Sequence, residues 1–198
     1  MYLINTRADI CYSVNILSQF MVEPKRAHWA AAKHVLSYLQ GTVDYGLLHN
    51  RGKDIRLSGF TDANWAGSLV DQKSTSGYCF NIGSGMTSWC SRKQKFRALS
   101  SSEAEYMTAS TTASEAIWLR NLLVNLFRRK MAATRIMCHN QSCIKLSKNL
   151  VFHDRSKHID IRCHFVRLCP TMSCTVELHS YRRIGGRHPH QGPWKDKV

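Results

Sequence analysis

The apolar positions of the chain change rhythm twice. In the first fifty residues they recur at helical spacing. Ile10, Val14, Leu17 and Phe20 make a short stripe, and Trp29, Ala32, Leu36 and Leu39 a longer one that begins near Glu23-Pro24 and stops at Gly41. Proline suits the first turn of a helix and glycine its end, so two helices are expected here. Two such faces cannot close a core alone and must pack on something else. From Asp54 the period becomes two. Ile55 to Phe60 alternates and runs into Thr61-Asp62, which predicts a strand ending in a carboxylate. Residues 77–82 and 86–90 predict two more strands, joined by Gly83-Ser84-Gly85 as a hairpin.

The second change comes at Ser100, where Ser100-Ser101-Ser102-Glu103 has the form of a capping box. No proline or glycine interrupts the helix it opens until about Arg129. Its apolar stripe (Ala109, Thr112, Ala116, Leu119, Leu123) also contains Glu105, whereas Glu103 lies with Tyr106, Ser110 and Ser114 on a more polar face. Residues 134–138 predict a fourth strand, 140–149 a short helix and 175–179 a fifth strand. Between them, 152–168 reads as strand-like near His158-Ile159-Asp160 and then helical. After Tyr181 all periodicity is lost. This order predicts an α/β layout, a mixed five-stranded sheet with helices packed on it, preceded by a helical segment.

Composition narrows the classes. The 198 residues are 43% hydrophobic and 21% charged, ordinary for a folded domain. No apolar run approaches the ~20 residues of a membrane span, and the first ten residues lack a signal-peptide core, so an intracellular, non-secreted protein is expected. The charge is less ordinary: 28 Lys+Arg stand against 13 Asp+Glu, a net +15. It is spread, with 12 basic and 6 acidic side chains in residues 1–99 and 16 and 7 in 100–198. A broad basic face of this kind points to a polyanion such as nucleic acid. The eight cysteines are scattered among apolar positions and read as buried or free thiols. Cys169, Cys174 and His179 do not follow a zinc-binding spacing, and Trp29, Trp65, Trp89 and Trp118 are assigned to the core.

Two carboxylates are candidates for chemistry. Asp62 closes a predicted strand, the place where open α/β sheets bind ligands, although a turn-forming aspartate would sit there equally well. Glu105 begins a stripe that faces the sheet, and a buried carboxylate needs a partner. A cation held jointly with Asp62 satisfies both residues; so does a salt bridge to one of the many lysines and arginines.

The stretches Asp62-Ala63-Asn64-Trp65-Ala66-Gly67, Lys73-Ser74-Thr75-Ser76-Gly77-Tyr78, Ser88-Trp89, Lys93-Gln94-Lys95 and Ala98 to Tyr106 resemble the ribonuclease H domain of copia-type LTR retrotransposon Pol polyproteins. So do Asn140-Gln141-Ser142 and Lys157 to Arg162. Upstream, Tyr2-Leu3, Thr6-Arg7, Asp9-Ile10, His28-Trp29, Ala32-Lys33 and Tyr38 to Thr42 resemble the end of the reverse transcriptase that precedes that domain. The resemblance implies residues 1–50 as a truncated polymerase end, 54–181 as a ribonuclease H-like domain and 182–198 as an irregular basic tail. It also implies an ancestral activity: two Mg²⁺ ions on four carboxylates cut the RNA strand of an RNA–DNA hybrid.

Carried across, Asp62 and Glu105 match the first two metal-binding catalytic carboxylates. His139 stands where the third is expected. The fourth belongs in a Gln-x-Ala-Asp pattern that the tail lacks, and Asp196 is not assigned to it. Asn140 and Gln141 would touch the minor groove, and Lys93 and Lys95 the phosphates. Asp160, flanked by His153, His158 and His164, is an accessory candidate. With two of four carboxylates missing, the expectation is a degenerate element with weak or absent hydrolysis. The alternative is a catalytically dead nucleic-acid-binding module or an inert relic.

Overall fold

Alternating burial marks the first strand, β1 (Leu57–Asn64): Leu57, Gly59 and Thr61 are buried, while Ser58, Phe60 and Asp62 are less so. The computed structural model describes residues 3–50, 56–68, 70–128, 131–148 and the backbone of 174–178. Within them β1 pairs antiparallel with β2 (Thr75–Ile82), which pairs antiparallel with β3 (Gly85–Lys93). On its other side β1 pairs parallel with β4 (Thr134–Cys138), and β5 (Cys174–Leu178) adds in parallel beyond it. The sheet order is β3-β2-β1-β4-β5, the expected mixed α/β sheet. The β2–β3 hairpin turns through Gly83, whose φ of 60° favours glycine.

Two helices preceded by short 3-10 turns form the N-terminal segment: α1 (Cys11–Ser18) and α2 (Arg26–Gly41). They do pack on something else. α1 lies against β3, the Trp89 indole N–H donates to the Ile4 carbonyl at 2.7 Å, and Lys93 Nζ donates to Gln19 Oε1 at 3.1 Å. The α2 stripe, however, is not core. Trp29 is 65% exposed and Leu36 61%, because among the described residues α2 packs mainly on α1 and nothing covers its apolar face. The assignment of tryptophans to the core is corrected likewise: Trp65 and Trp118 are also exposed, and only Trp89 is half-buried.

The long helix α3 (Ser101–Phe127) follows its predicted limits and lies across β1, β2 and β4. Ser100 Oγ accepts from the Glu103 N–H and so caps the helix, while Glu103 Oε2 reaches one residue further back than the expected capping box, accepting from the Leu99 N–H rather than that of Ser100. Ala104, Ala109, Ala113 and Ala116 are fully buried, and side chains this small let the helix sit close to the sheet. The hydroxyls beside them are satisfied locally: Thr112 Oγ1 lies 2.8 Å from the Thr108 carbonyl and 3.1 Å from Thr61 Oγ1. Glu103, Tyr106 and Ser110 were expected on a polar face, yet all three are buried. The first turns of α3 are enclosed by the sheet, by the segment around Gln94 and by α4 (Gln141–Lys148), so a polar pattern there does not mean exposure. Residues 152–168 and the tail after Tyr181 lie outside the described residues.

Phe80, fully buried, anchors the core opposite Gly59, and each such side chain contributes roughly 1.5–3 kcal/mol by burial. A Cβ at position 59 would come within 2.5 Å of Phe80 Cε1, and an enclosed ring has no room to give. Gly59→Ala should therefore destabilise the fold by about 1–3 kcal/mol in urea titration, and adding Phe80→Leu should recover part of that loss. Equal stability of Gly59→Ala and the parent chain would contradict this packing.

Candidate functional site

Strand register builds the site. Thr61 of β1 and Cys138 of β4 are paired in parallel, so the next residues, Asp62 and His139, stand side by side where that ladder ends; Asp62 does not close its strand as expected, because β1 continues to Asn64 in pairing with β2. The second turn of α3 lays Glu105 against the same ends, where the Ala63 N–H donates to Glu105 Oε1 at 3.2 Å. His139 Nε2 stands 3.4 Å from Glu105 Oε1, and His139 Nδ1 stands 3.8 Å from Asp62 Oδ1. One ligand atom from each of the three residues lies within 4.8 Å of the other two. The Glu105 side chain is 3% exposed, those of Asp62 and His139 49% and 53%, so the cluster has a buried floor and an open mouth.

The floor is electrostatically strained. Burial first, then the Cys138 thiol and the Asp62 carboxylate, push the Glu105 carboxyl up to about 8, against the pull of the Ala63 N–H. Cys138 Sγ lies 3.9 Å from both Glu105 Oε2 and the Asn140 carbonyl. The Cys143 thiol, hydrogen-bonded to Cys138, draws the Cys138 thiol down to about 7, while its own is pushed up.

Of the sequence candidates, Asp62, Glu105 and His139 converge. Asn140 is next to them, but its Oδ1 accepts from the Cys143 N–H at 3.0 Å and so caps α4. Gln141 is exposed on the first turn of that helix. Lys93 is engaged elsewhere, in an ion pair with Asp71 at 2.9 Å, whereas Lys95 is exposed. Asp160, Asp196, Cys169, His153, His158, His164 and His179 lie outside the described residues, as does the side chain of Cys174.

Two residues escaped the sequence reading. Cys138 was grouped with scattered thiols, although its place immediately before His139 was a signal. Gln94 is buried, with its Nε2 within 3.0–3.2 Å of Ser76 Oγ, the Ala104 carbonyl and Thr108 Oγ1, tying β2 and the segment after β3 to α3.

The donor set does not fit the two Mg²⁺ ions that the family resemblance implies. Among the described residues two carboxylates and one imidazole meet, where four carboxylates are needed, and magnesium prefers oxygen. A single divalent ion is the most these three side chains are built to hold.

The chain is 43% identical over 162 residues to the retrovirus-related Pol polyprotein from transposon TNT 1-94 of Nicotiana tabacum, a match covering 82% of this chain and 12% of that polyprotein. It is 44% identical over 166 residues to the corresponding polyprotein from transposon RE1 of Arabidopsis thaliana, covering 84% of this chain and 11% of that one. A shorter relative, secreted RxLR effector protein 161 of Plasmopara viticola, is 48% identical over 120 residues, 60% of this chain and 84% of the effector. Among solved structures, RNase H1 from Halobacterium salinarum NRC-1 matches 63% of this chain and 85% of its own with a TM-score of 0.38 and 11% identity. No family model matches. The chain thus spans about an eighth to a ninth of the polyproteins it matches (12% and 11%).

The raised Glu105 value has a consequence for stability. Between its ordinary value of 4.5 and about 8, the folded chain keeps a proton that the unfolded chain gives up. Stability therefore falls as pH rises through that window, by an amount on the order of a few kcal/mol. Glu105→Gln removes the titration while keeping an acceptor for the Ala63 N–H. In chelator-treated buffer its thermal midpoint should exceed the parent's by more at pH 8 than at pH 5; an equal difference at both would contradict the assignment.

Proposed function

The chain belongs to the family of copia-type Pol polyproteins of transposons, and from that membership we propose that it is a ribonuclease H-like module which engages RNA–DNA hybrids but has lost most or all of the ability to cut them. On this reading residues 1–50 are the end of a reverse transcriptase, 54–181 the ribonuclease H-like domain and 182–198 a basic tail.

One observation carries the loss of cutting: the His139 imidazole stands beside Asp62 and Glu105, where the family resemblance expects a third carboxylate. Two carboxylates bring at most two negative charges against the four positive charges of a magnesium pair. Removing ligands from a metal-assisted site costs orders of magnitude in rate. Binding does not share that fate, because affinity for a polyanion rests on cations spread over the surface. The net charge of +15, the exposed Lys95 and the position of Asn140-Gln141 next to the centre support retention of a hybrid. The competing reading is an inert relic with no nucleic-acid partner.

A labelled RNA–DNA hybrid separates these readings. The purified chain should bind it with an affinity that falls steeply between about 50 and 200 mM salt, and should leave it uncut in Mg²⁺. Lys95→Ala should lower the salt slope by about one. Cleavage that disappears on Asp62→Asn would defeat the loss of activity; an absence of salt-sensitive binding would favour the relic.

A further inference from the structure

Two carboxylate oxygens and one imidazole nitrogen suit a different ion from the one this family's chemistry uses. Magnesium demands near-octahedral oxygen coordination and gives up water reluctantly, so an imidazole among its ligands is unfavourable. Zinc, cobalt and their neighbours accept imidazole and carboxylate together, zinc usually in a four-coordinate site with bonds of about 2.0–2.2 Å. Ligand atoms around such a tetrahedron lie roughly 3.3–3.5 Å apart. Here His139 Nε2 is 3.4 Å from Glu105 Oε1, and no pair in the three-residue set needs to close from beyond 4.8 Å. Charge agrees as well: one divalent ion is neutralised by two carboxylates, whereas two ions are not.

The three groups are also placed to act together without refolding. Asp62 and His139 follow a fixed pair of strand residues, and Glu105 is held by the Ala63 N–H. The open side of the cluster, where Asp62 and His139 are half-exposed, leaves room for a water or an incoming phosphate oxygen as fourth ligand. We propose that Asp62, Glu105 and His139 form a mononuclear site for a borderline divalent transition ion of the zinc class, selected over magnesium by the imidazole. The inference rests on the reading that the two-magnesium arrangement is lost.

The test is titration of the full chain with Co²⁺ as a spectroscopic stand-in, followed by competition with Zn²⁺ and Mg²⁺. Expected are weak visible bands that saturate at one equivalent, vanish on adding Zn²⁺ and survive an excess of Mg²⁺. Zn²⁺ should also raise the thermal midpoint of the parent chain. His139→Ala should weaken binding on the order of a hundredfold, and Asp62→Asn provides a second, equally surface-accessible lesion. His139→Asp should make Mg²⁺ an effective competitor. A strong near-ultraviolet sulfur-to-cobalt band that persists in His139→Ala would place the ion on cysteines and overturn the proposal. So would displacement of Co²⁺ from the parent by Mg²⁺ at comparable concentration. Hybrid cleavage is measured on the same preparation: cleavage in Mg²⁺ would defeat the underlying reading and this inference with it. No cobalt signal together with no cleavage would overturn this inference alone.

Discussion

The parallel pairing of β1 with β4 is the constraint on which the site depends. The parallel ladder between them runs as far as Thr61 and Cys138, so the residues that follow, Asp62 and His139, are neighbours at its end. The sequence puts an aspartate on one strand and a histidine on the other. Neither residue needs its neighbours to be rearranged to meet the other. A one-residue slip of β4 would turn His139 to the opposite face and bring Cys138 or Asn140 forward.

The third group reaches the same place by close packing. Buried alanines bring α3 near the sheet, and the hydroxyl-to-hydroxyl bond from Thr112 to Thr61 ties it to β1. The result places a carboxyl group where water is scarce and another acid is close. Such a group is costly to ionise without an opposite charge beside it, and burial pushes the Glu105 carboxyl up accordingly. The core around Phe80 and Tyr106 supports this by leaving α3 little freedom to move away.

Much of this was legible beforehand. The extent of β4 and α3 followed from alternation and capping, and Glu105 was marked by a carboxylate on an apolar stripe, whereas β1 runs two residues beyond the Asp62 at which alternation ends it. What periodicity does not encode is which faces are covered. The α2 stripe is as regular as that of α3, yet Trp29 and Leu36 on it stay exposed, because burial depends on a partner that spacing does not name. Conversely Glu103, Tyr106 and Ser110 look polar and are enclosed, their polarity satisfied by specific partners rather than by water. On the charge side, the Lys93 ammonium is paired with Asp71 and bonded to Gln19, partners that no spacing in the sequence names. Cys138 carries only its place before His139 as a signal, because a thiol's significance lies in what folding sets beside it.

The bond from the Trp89 indole to the Ile4 carbonyl joins the N-terminal segment to β3, the strand at one margin of the sheet. An uncovered margin presents a row of unpaired amides and carbonyls to other chains. α1 also packs against β3, and none of its residues belongs to the cluster of Asp62, Glu105 and His139. Without the first twenty residues, β3 would lose the contacts that Ile4, Gln19 and α1 make with it. A margin strand relieved of those contacts is a readier surface for strand-to-strand pairing between copies.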